Sequence, residues 1–289
     1  MTNNRIKNIM LNESAGESSP IVVAVLSGKG GVGKSVIAYN VAAIIAHGGH
    51  RCLIIDCDWN FGNQHILANI VPRITLTDLI HDVGTHKYAA EINERLHLIA
   101  APSAGETVEP YNNENFARFL GGMKEQLGDY DYIILDTPSG VIDIIALAAG
   151  ASDFNLIIAN PELTSIADTY GLFKYLIHSN SRISAHILLN RVDCEEDYRY
   201  VYEKLTFLTQ RFLDRIPFDA GYLLDDRHVI ESVAKQKSLI EIYPDSAAVR
   251  HLSKLCKILT GQGVFGGMHK ETTERANINK EITLADIKE

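Results

Sequence analysis

Apolar residues along this chain fall into two alternating kinds of run. Short stretches rich in Val, Ile and Leu (IVVAVLS, RCLIID, RLHLIA, YIILDTP, FNLIIAN, AHILLNR and RFLDRIP) read as strands, and several are apolar on both faces. Between them lie longer segments whose apolar residues return at helical spacing. These predict helices over 34–47, 113–127, 141–149, 163–178, 195–210, 227–234 and 245–259. Strands without a polar face must be covered on both sides, so the pattern predicts an α/β fold: a mainly parallel, twisted sheet with helices on both faces. No repeat or internal linker interrupts it, and residues 20–260 are expected to form one domain. Residues 1–19 are polar and end in a Gly/Ser-rich stretch; they read as a flexible tail with at most a short helix around 6–11. Residues 261–289, with Gly punctuation and mixed charge, read as a second flexible tail. Ile278, Ile282 and Ala285 would line only a narrow helical stripe there, with acids matching the bases around it.

Composition narrows the class. With 289 residues, 46% of them apolar and 22% charged, the chain can bury a full core. A formal net charge of -9 argues against a protein whose main task is to coat DNA or anionic lipid. No apolar run approaches the roughly 18 residues needed to span a bilayer. The cysteines, Cys52, Cys57, Cys194 and Cys256, are scattered without a C-x-x-C, which suits reduced thiols in a cytoplasmic protein and counts against an iron–sulphur carrier. The histidines do not fall at zinc-ligand spacing, and His47 and His50 suit the C-terminus of the first long helix.

Chemistry concentrates first in SGKGGVGKS, which follows IVVAVL. Gly28-Lys29-Gly30-Gly31-Val32-Gly33-Lys34-Ser35 satisfies G-x-x-x-x-G-K-[ST], and it sits between a predicted strand and a predicted helix, the context that gives the pattern its mechanism. Backbone N–H groups at Gly30, Gly31 and Gly33 would hold phosphate oxygens at the positive end of the helix. Lys34 would reach the β- and γ-phosphates, and the Ser35 hydroxyl would ligate Mg²⁺. The expected nucleotide-binding segment runs from Gly28 to Val36. Lys29, at the outer lip, has no obvious phosphate to meet within its own subunit.

Other candidates stand at strand ends. RCLIIDCDWNFGN delivers Asp56 and Asp58 to the edge where open α/β sheets bind ligands, with a spacing that suits metal and water. YIILDTPSGV ends in Asp136, which fits a carboxylate reaching Mg²⁺ through water. AHILLNRVD ends in Asn190-Arg191-Val192-Asp193, one substitution from the N-K-x-D that reads guanine, so the base specificity of this motif alone stays open between GTP and ATP.

KGGVGKS resembles the deviant Walker A motif of the MinD/ParA ATPases, and Thr137-Pro138-Ser139-Gly140 resembles their switch II. The resemblance covers about residues 20–260 and implies a P-loop ATPase that binds ATP and Mg²⁺ and dimerises with ATP bound. Lys29 then matches the signature lysine that contacts the partner's nucleotide, a catalytic role shared with Lys34 and Asp58. Asp58 matches the residue that activates the attacking water, and Asp56 assists the Mg²⁺ shell with Ser35 and Asp136. Pro138 and Gly140 belong to the moving switch. Asn190 and Arg191 match the adenine edge, with Pro217 of RIPFD as the segment closing its other side; these features favour ATP over GTP. NPELTSIADTYGLFKYL further resembles the flagellar-number regulators of the family, FlhG or FleN. What this implies is a slow, Mg²⁺-dependent ATP hydrolase acting as a switch that regulates the placement or number of a cellular structure, flagella before all. The alternatives are a ParA-type partition ATPase and a MinD-type division-site regulator.

The implied partners are a second copy of the chain and a protein such as a flagellar GTPase, a transcription activator or a switch-complex component, with recruitment to the cell pole or membrane surface. DNA or membrane binding has little support beyond Arg199, Lys204, Arg211 and Arg215. Two departures from the family pattern stand out: the N-terminal tail lacks an Asp-Gln-Ala type motif, and the C-terminal tail lacks a basic amphipathic helix.

Overall fold

The computed structural model describes residues 19–102 and 113–261; the short helix expected around 6–11 and the stripe of Ile278, Ile282 and Ala285 lie outside them. Among the described residues, eight strands form one sheet: β1 (Ile21–Leu26), β2 (Cys52–Asp56), β3 (Ala90–Asn93), β4 (Leu96–Ile99), β5 (Tyr132–Asp136), β6 (Phe154–Ala159), β7 (Ala185–Val192) and β8 (Phe218–Leu224). Their order is β3-β4-β2-β5-β1-β6-β7-β8, and every neighbouring pair is parallel except β3 with β4. The helices between them are α1 (Lys34–His47), α2 (Gln64–Leu67), α3 (Leu76–His81), α4 (Asn113–Gln126), α5 (Ile142–Ala151), α6 (Leu163–Ser179), α7 (Glu195–Leu213), α8 (Arg227–Ala234), α9 (Leu239–Ile242) and α10 (Ala247–Leu259), with a 3₁₀ turn at Val83–Tyr88.

The two-sided apolar strands explain the layers. Along β1, Val22, Ala24 and Leu26 point to a core shared with Phe116 and Met123 of α4, Ile145 of α5, Leu176 of α6 and Leu205 of α7. Val23 and Val25 point the other way, to Ile37, Val41 and Ile45 of α1 and Leu252, Leu255 and Leu259 of α10. Alternation along a pleated strand thus feeds two cores with one residue set. Helix α1 is buried almost all round because α9 and α10 cover what the sheet does not. Asn40, buried within it, accepts a hydrogen bond from the Leu239 amide at 2.7 Å and so pins α9 to α1.

One predicted strand is absent. Within RFLDRIP, Arg211 to Leu213 form the last turn of α7, and Asp214 stops the helix in the left-handed region at φ 51°. The reason is visible in α7 itself: the buried Tyr198, Val201, Tyr202, Leu205, Thr206 and Thr209 keep helical spacing, and Leu213, half-buried against the same core, carries it one turn past the predicted end at 210. The strand comes next, as β8. Its sequence FDAGYLL is mostly half-buried because β8 lies at the sheet edge, so its apolar signal is weak. Strand β3, the antiparallel opposite edge, is only four residues long, and with α2, α3 and α9 it falls below the length at which periodicity speaks.

Candidate nucleotide site

The register brings the acids and the glycine loop to one edge. Val25 of β1 and Asp56 of β2 both pair with Asp136 of β5, so the loops after these strands open side by side at the carboxyl end of the sheet. After β1 the chain needs two glycines for different reasons. A Cβ on Gly28 would lie 2.6 Å from the Asp168 carbonyl oxygen of α6, and one on Gly33 would lie 2.5 Å from Asn190 Nδ2 at a φ of +93°. Gly33 then hands the chain to α1, whose first residue is Lys34. Gly30 and Gly31 front open space, Val32 is buried, and Val36 is half-buried on the first turn of α1.

Inside the loop, Lys34 is buried and its Nζ is ion-paired with Asp136 Oδ1, with Ser35 Oγ 3.4 Å away. Asp136 Oδ2 accepts from Gln64 Nε2 at 2.7 Å. Asp56, wholly buried, accepts backbone N–H groups of Asp58 at 3.1 Å, Asn63 at 2.9 Å and Gln64 at 3.1 Å. Burial, and after it the charge of Asp136, holds the Asp56 carboxyl well above the ordinary carboxylate range against those N–H groups. Asp56 therefore organises the loop that carries Asp58. Asp58 is half-buried, and its Oδ1 accepts from the Phe61 amide at 3.1 Å and from the Asn60 amide at 3.4 Å.

After β5, Thr137 donates its hydroxyl to the Val25 carbonyl at 2.9 Å, and Ser139 meets Ser27 through their hydroxyls at 3.2 Å. Pro138 is buried, whereas Gly140 is exposed at a φ of +78°. Lys29 stands outside, on the lip. Its Nζ donates to Glu162 Oε2 at 2.5 Å and to Thr164 Oγ1 at 2.9 Å, both at the start of α6. That hydrogen bond and the lysine charge lower the Glu162 pKa. Asn190 Nδ2 donates to the Val32 carbonyl at 2.8 Å, bracing the loop from β7, and Arg191 follows with a left-handed φ of 56°.

Pro217 does not join them. It precedes β8, whose Phe218 pairs with His186 near the start of β7, while Leu224 pairs with Val192. Pro217 thus lies at the amino end of the sheet, where its carbonyl accepts from Tyr202 Oη at 3.0 Å, and Leu224-Asp225-Asp226 occupy the edge that Pro217 was expected to close. The reason is the place of the strand: β8 begins after Pro217, so the far end of the segment, Leu224, reaches Val192.

The arrangement suits a nucleotide with a hard cation. The loop is open at Gly30 and Gly31, and Ser35, Asp56 and Asp136 supply oxygen donors. Among the described residues no three His, Cys, Asp or Glu cluster as a metal cage, so Mg²⁺ held here would take its remaining ligands from phosphate and water. Bound Mg²⁺ would neutralise charge on the phosphates, and Ser35 and Asp136, with Asp56 behind, would be the residues to hold it. Two residues of the site escaped sequence reasoning, Gln64 and Glu162. Their only local signals were polar residues at the start of α2 and just before α6.

A family model described as the CobQ/CobB/MinD/ParA nucleotide binding domain matches residues 23–239. Antiactivator FleN of Pseudomonas aeruginosa is 28% identical over 241 residues, covering 81% of this chain and 84% of that protein. The flagellum site-determining protein YlxH of Helicobacter pylori is 22% identical, with 85% and 84% covered. The septum site-determining protein MinD of Pyrococcus horikoshii, solved with Mg-ADP, superposes with a TM-score of 0.69 at 19% identity, covering 83% of this chain and 96% of that one.

Proposed function

The chain belongs to the CobQ/CobB/MinD/ParA nucleotide-binding family, and from that premise we propose that it is an ATP-dependent dimerising switch, a slow Mg²⁺-dependent ATP hydrolase that sets the number or placement of flagella. The observation that carries this reading is the division between the two loop lysines. Lys34 is interior and paired with Asp136; Lys29 is on the rim, its side chain 34% exposed. The same rim carries Phe61 at 82% exposure and Leu163 at 78%, with Val141 and Ile142 beside switch II. Exposed apolar residues on the loops of a charged site suit a subunit interface formed over that site. A second copy docked there would receive Lys29 near its phosphates, where a cation stabilises charge developing in the transition state.

ATP is favoured over GTP by the loop and switch motifs, and Mg-ADP in the MinD of P. horikoshii supports nucleotide with Mg²⁺. The flagellar role draws on the FleN and YlxH relatives and on the segment Asn160 to Leu176. It implies a protein partner of the flagellar system, a GTPase, a transcription activator or a switch-complex component, met at the cell pole or membrane surface. No described helix is long and apolar enough to cross a membrane. Light scattering with ATP and Mg²⁺ tests the switch: the wild type should double in mass. Lys29→Ala should keep most of its ATP affinity, remain a monomer and lose turnover. An ATP-dependent dimer of normal stability in Lys29→Ala would defeat the reading.

A ParA-type role on DNA is the second reading, and one surface favours it. On α7, Lys204 Nζ lies 4.0 Å from the Tyr200 ring centroid, and the Arg211 guanidinium lies 5.8 and 5.7 Å from Phe207 and Phe212, so the two cations share one face of the helix, where they suit phosphate contacts that do not depend on sequence. Arg199, by contrast, is spent on Glu195. Salt-sensitive retention on nonspecific DNA in the presence of ATP would select this reading over the flagellar one.

A further inference from the structure

Gln64 is wholly buried, and it touches each residue expected around the cation. Its backbone N–H donates to Asp56 Oδ2 at 3.1 Å, and its side-chain Nε2 donates to Asp136 Oδ2 at 2.7 Å and to the Ser35 carbonyl at 3.0 Å. Both neighbours of Nε2 are acceptors, which fixes the orientation of the amide. The other end of the amide, Oε1, is shielded from solvent and accepts no hydrogen bond. A buried carbonyl oxygen without a donor is costly, and this one lies among groups that would surround a hydrated cation.

We propose that Gln64 is a positioning residue of the cation site: Nε2 holds Asp136 by Oδ2, which leaves Oδ1 facing the loop, and Oε1 accepts a proton of a water in the cation's shell. This rests on the nucleotide-site reading above. Oδ1 is ion-paired with Lys34. Once Lys34 turns to phosphate, Oδ1 is released in the orientation that Gln64 has kept. Because the Gln64 backbone shares Asp56 with the amides of Asp58 and Asn63, occupation of the cation site also bears on the loop that carries Asp58. That loop holds Trp59, the one tryptophan of the chain, whose ring meets Phe116 edge-on at 6.2 Å.

The test separates nucleotide from cation. ADP is titrated against the wild type and Gln64→Met by calorimetry, once in EDTA and once in excess Mg²⁺. Affinity in EDTA should agree within about twofold, since Gln64 bonds the phosphate loop through the Ser35 carbonyl and leaves its N–H groups and Lys34 in place, whereas the gain from Mg²⁺ should fall roughly 10- to 100-fold in the variant, the usual size for a residue supporting metal ligands. Mg²⁺ added to the ADP-bound wild type should change Trp59 emission, and the change should be lost in Gln64→Met. Gln64→Leu, of different shape, should give the same split between the two conditions; a split in only one variant would assign the effect to packing and overturn the proposal. A wild-type gain from Mg²⁺ in both variants would overturn it as well. A wild type that binds no ADP in either condition would instead bring down the nucleotide-site reading, so the two failures are distinct.

Discussion

Lys34 and Asp136 neutralise each other at 5% and 1% side-chain exposure, an arrangement in which neither charge can be removed alone without cost. Breaking a buried pair from one side leaves the other charge uncompensated, typically at about 3–5 kcal/mol. Lys34→Ala should therefore lower the melting temperature of the nucleotide-free protein as well as abolish ATP binding. Adding Asp136→Asn should recover much of the stability and none of the binding; thermal melts beside equilibrium binding of labelled ATP read both effects. Asp58 poses a similar problem, because its carboxylate already holds a turn through the Phe61 amide. Asp58→Asn keeps an acceptor for that turn and loses the base. It should bind ATP normally and hydrolyse it on the order of 10²- to 10⁴-fold more slowly, and turnover at the normal rate would shift the water-activating role elsewhere.

The elements were legible wherever a run was long or two-sided. Helix α1 and strands β1, β2, β5 and β6 carry their own signal, and the phosphate loop is read locally because all its parts lie within one turn of chain. Gln64 and Glu162 were not, since their partners Asp136 and Lys29 lie 72 and 133 positions away and meet them only through the order of the sheet. Across β6, β7 and β8 another such meeting occurs: His186 stacks between Phe154 at 3.8 Å and Phe218 at 4.9 Å. Burial pushes the His186 pKa down to about 3. The unfolded chain takes up a proton as pH falls through about 6.5, while the folded chain holds none there until about 3, so stability is lost across that window by up to about 1.4 kcal/mol per pH unit. His186→Phe should consequently show a smaller drop in melting temperature between pH 7 and pH 5 than the wild type; an equal drop would place the acid sensitivity in other groups.

At the scale of the molecule, the strand that begins the domain in sequence is the one the fold encloses, since β1 has β5 and β6 on its two sides and helical layers above and below. Every loop of the candidate site hangs from this block or from its immediate neighbours. Such a division predicts two populations of backbone amides under native-state hydrogen exchange. Those of β1 and β5 should exchange only by global unfolding, with one protection factor shared along both strands. Those between Cys57 and Asn63 and between Thr137 and Val141 should open independently and far faster. Nucleotide with Mg²⁺ should then slow the second population without changing the rank of the first, so that ligand occupancy is registered in the exchange rates of the loops while the strands report only the stability of the whole.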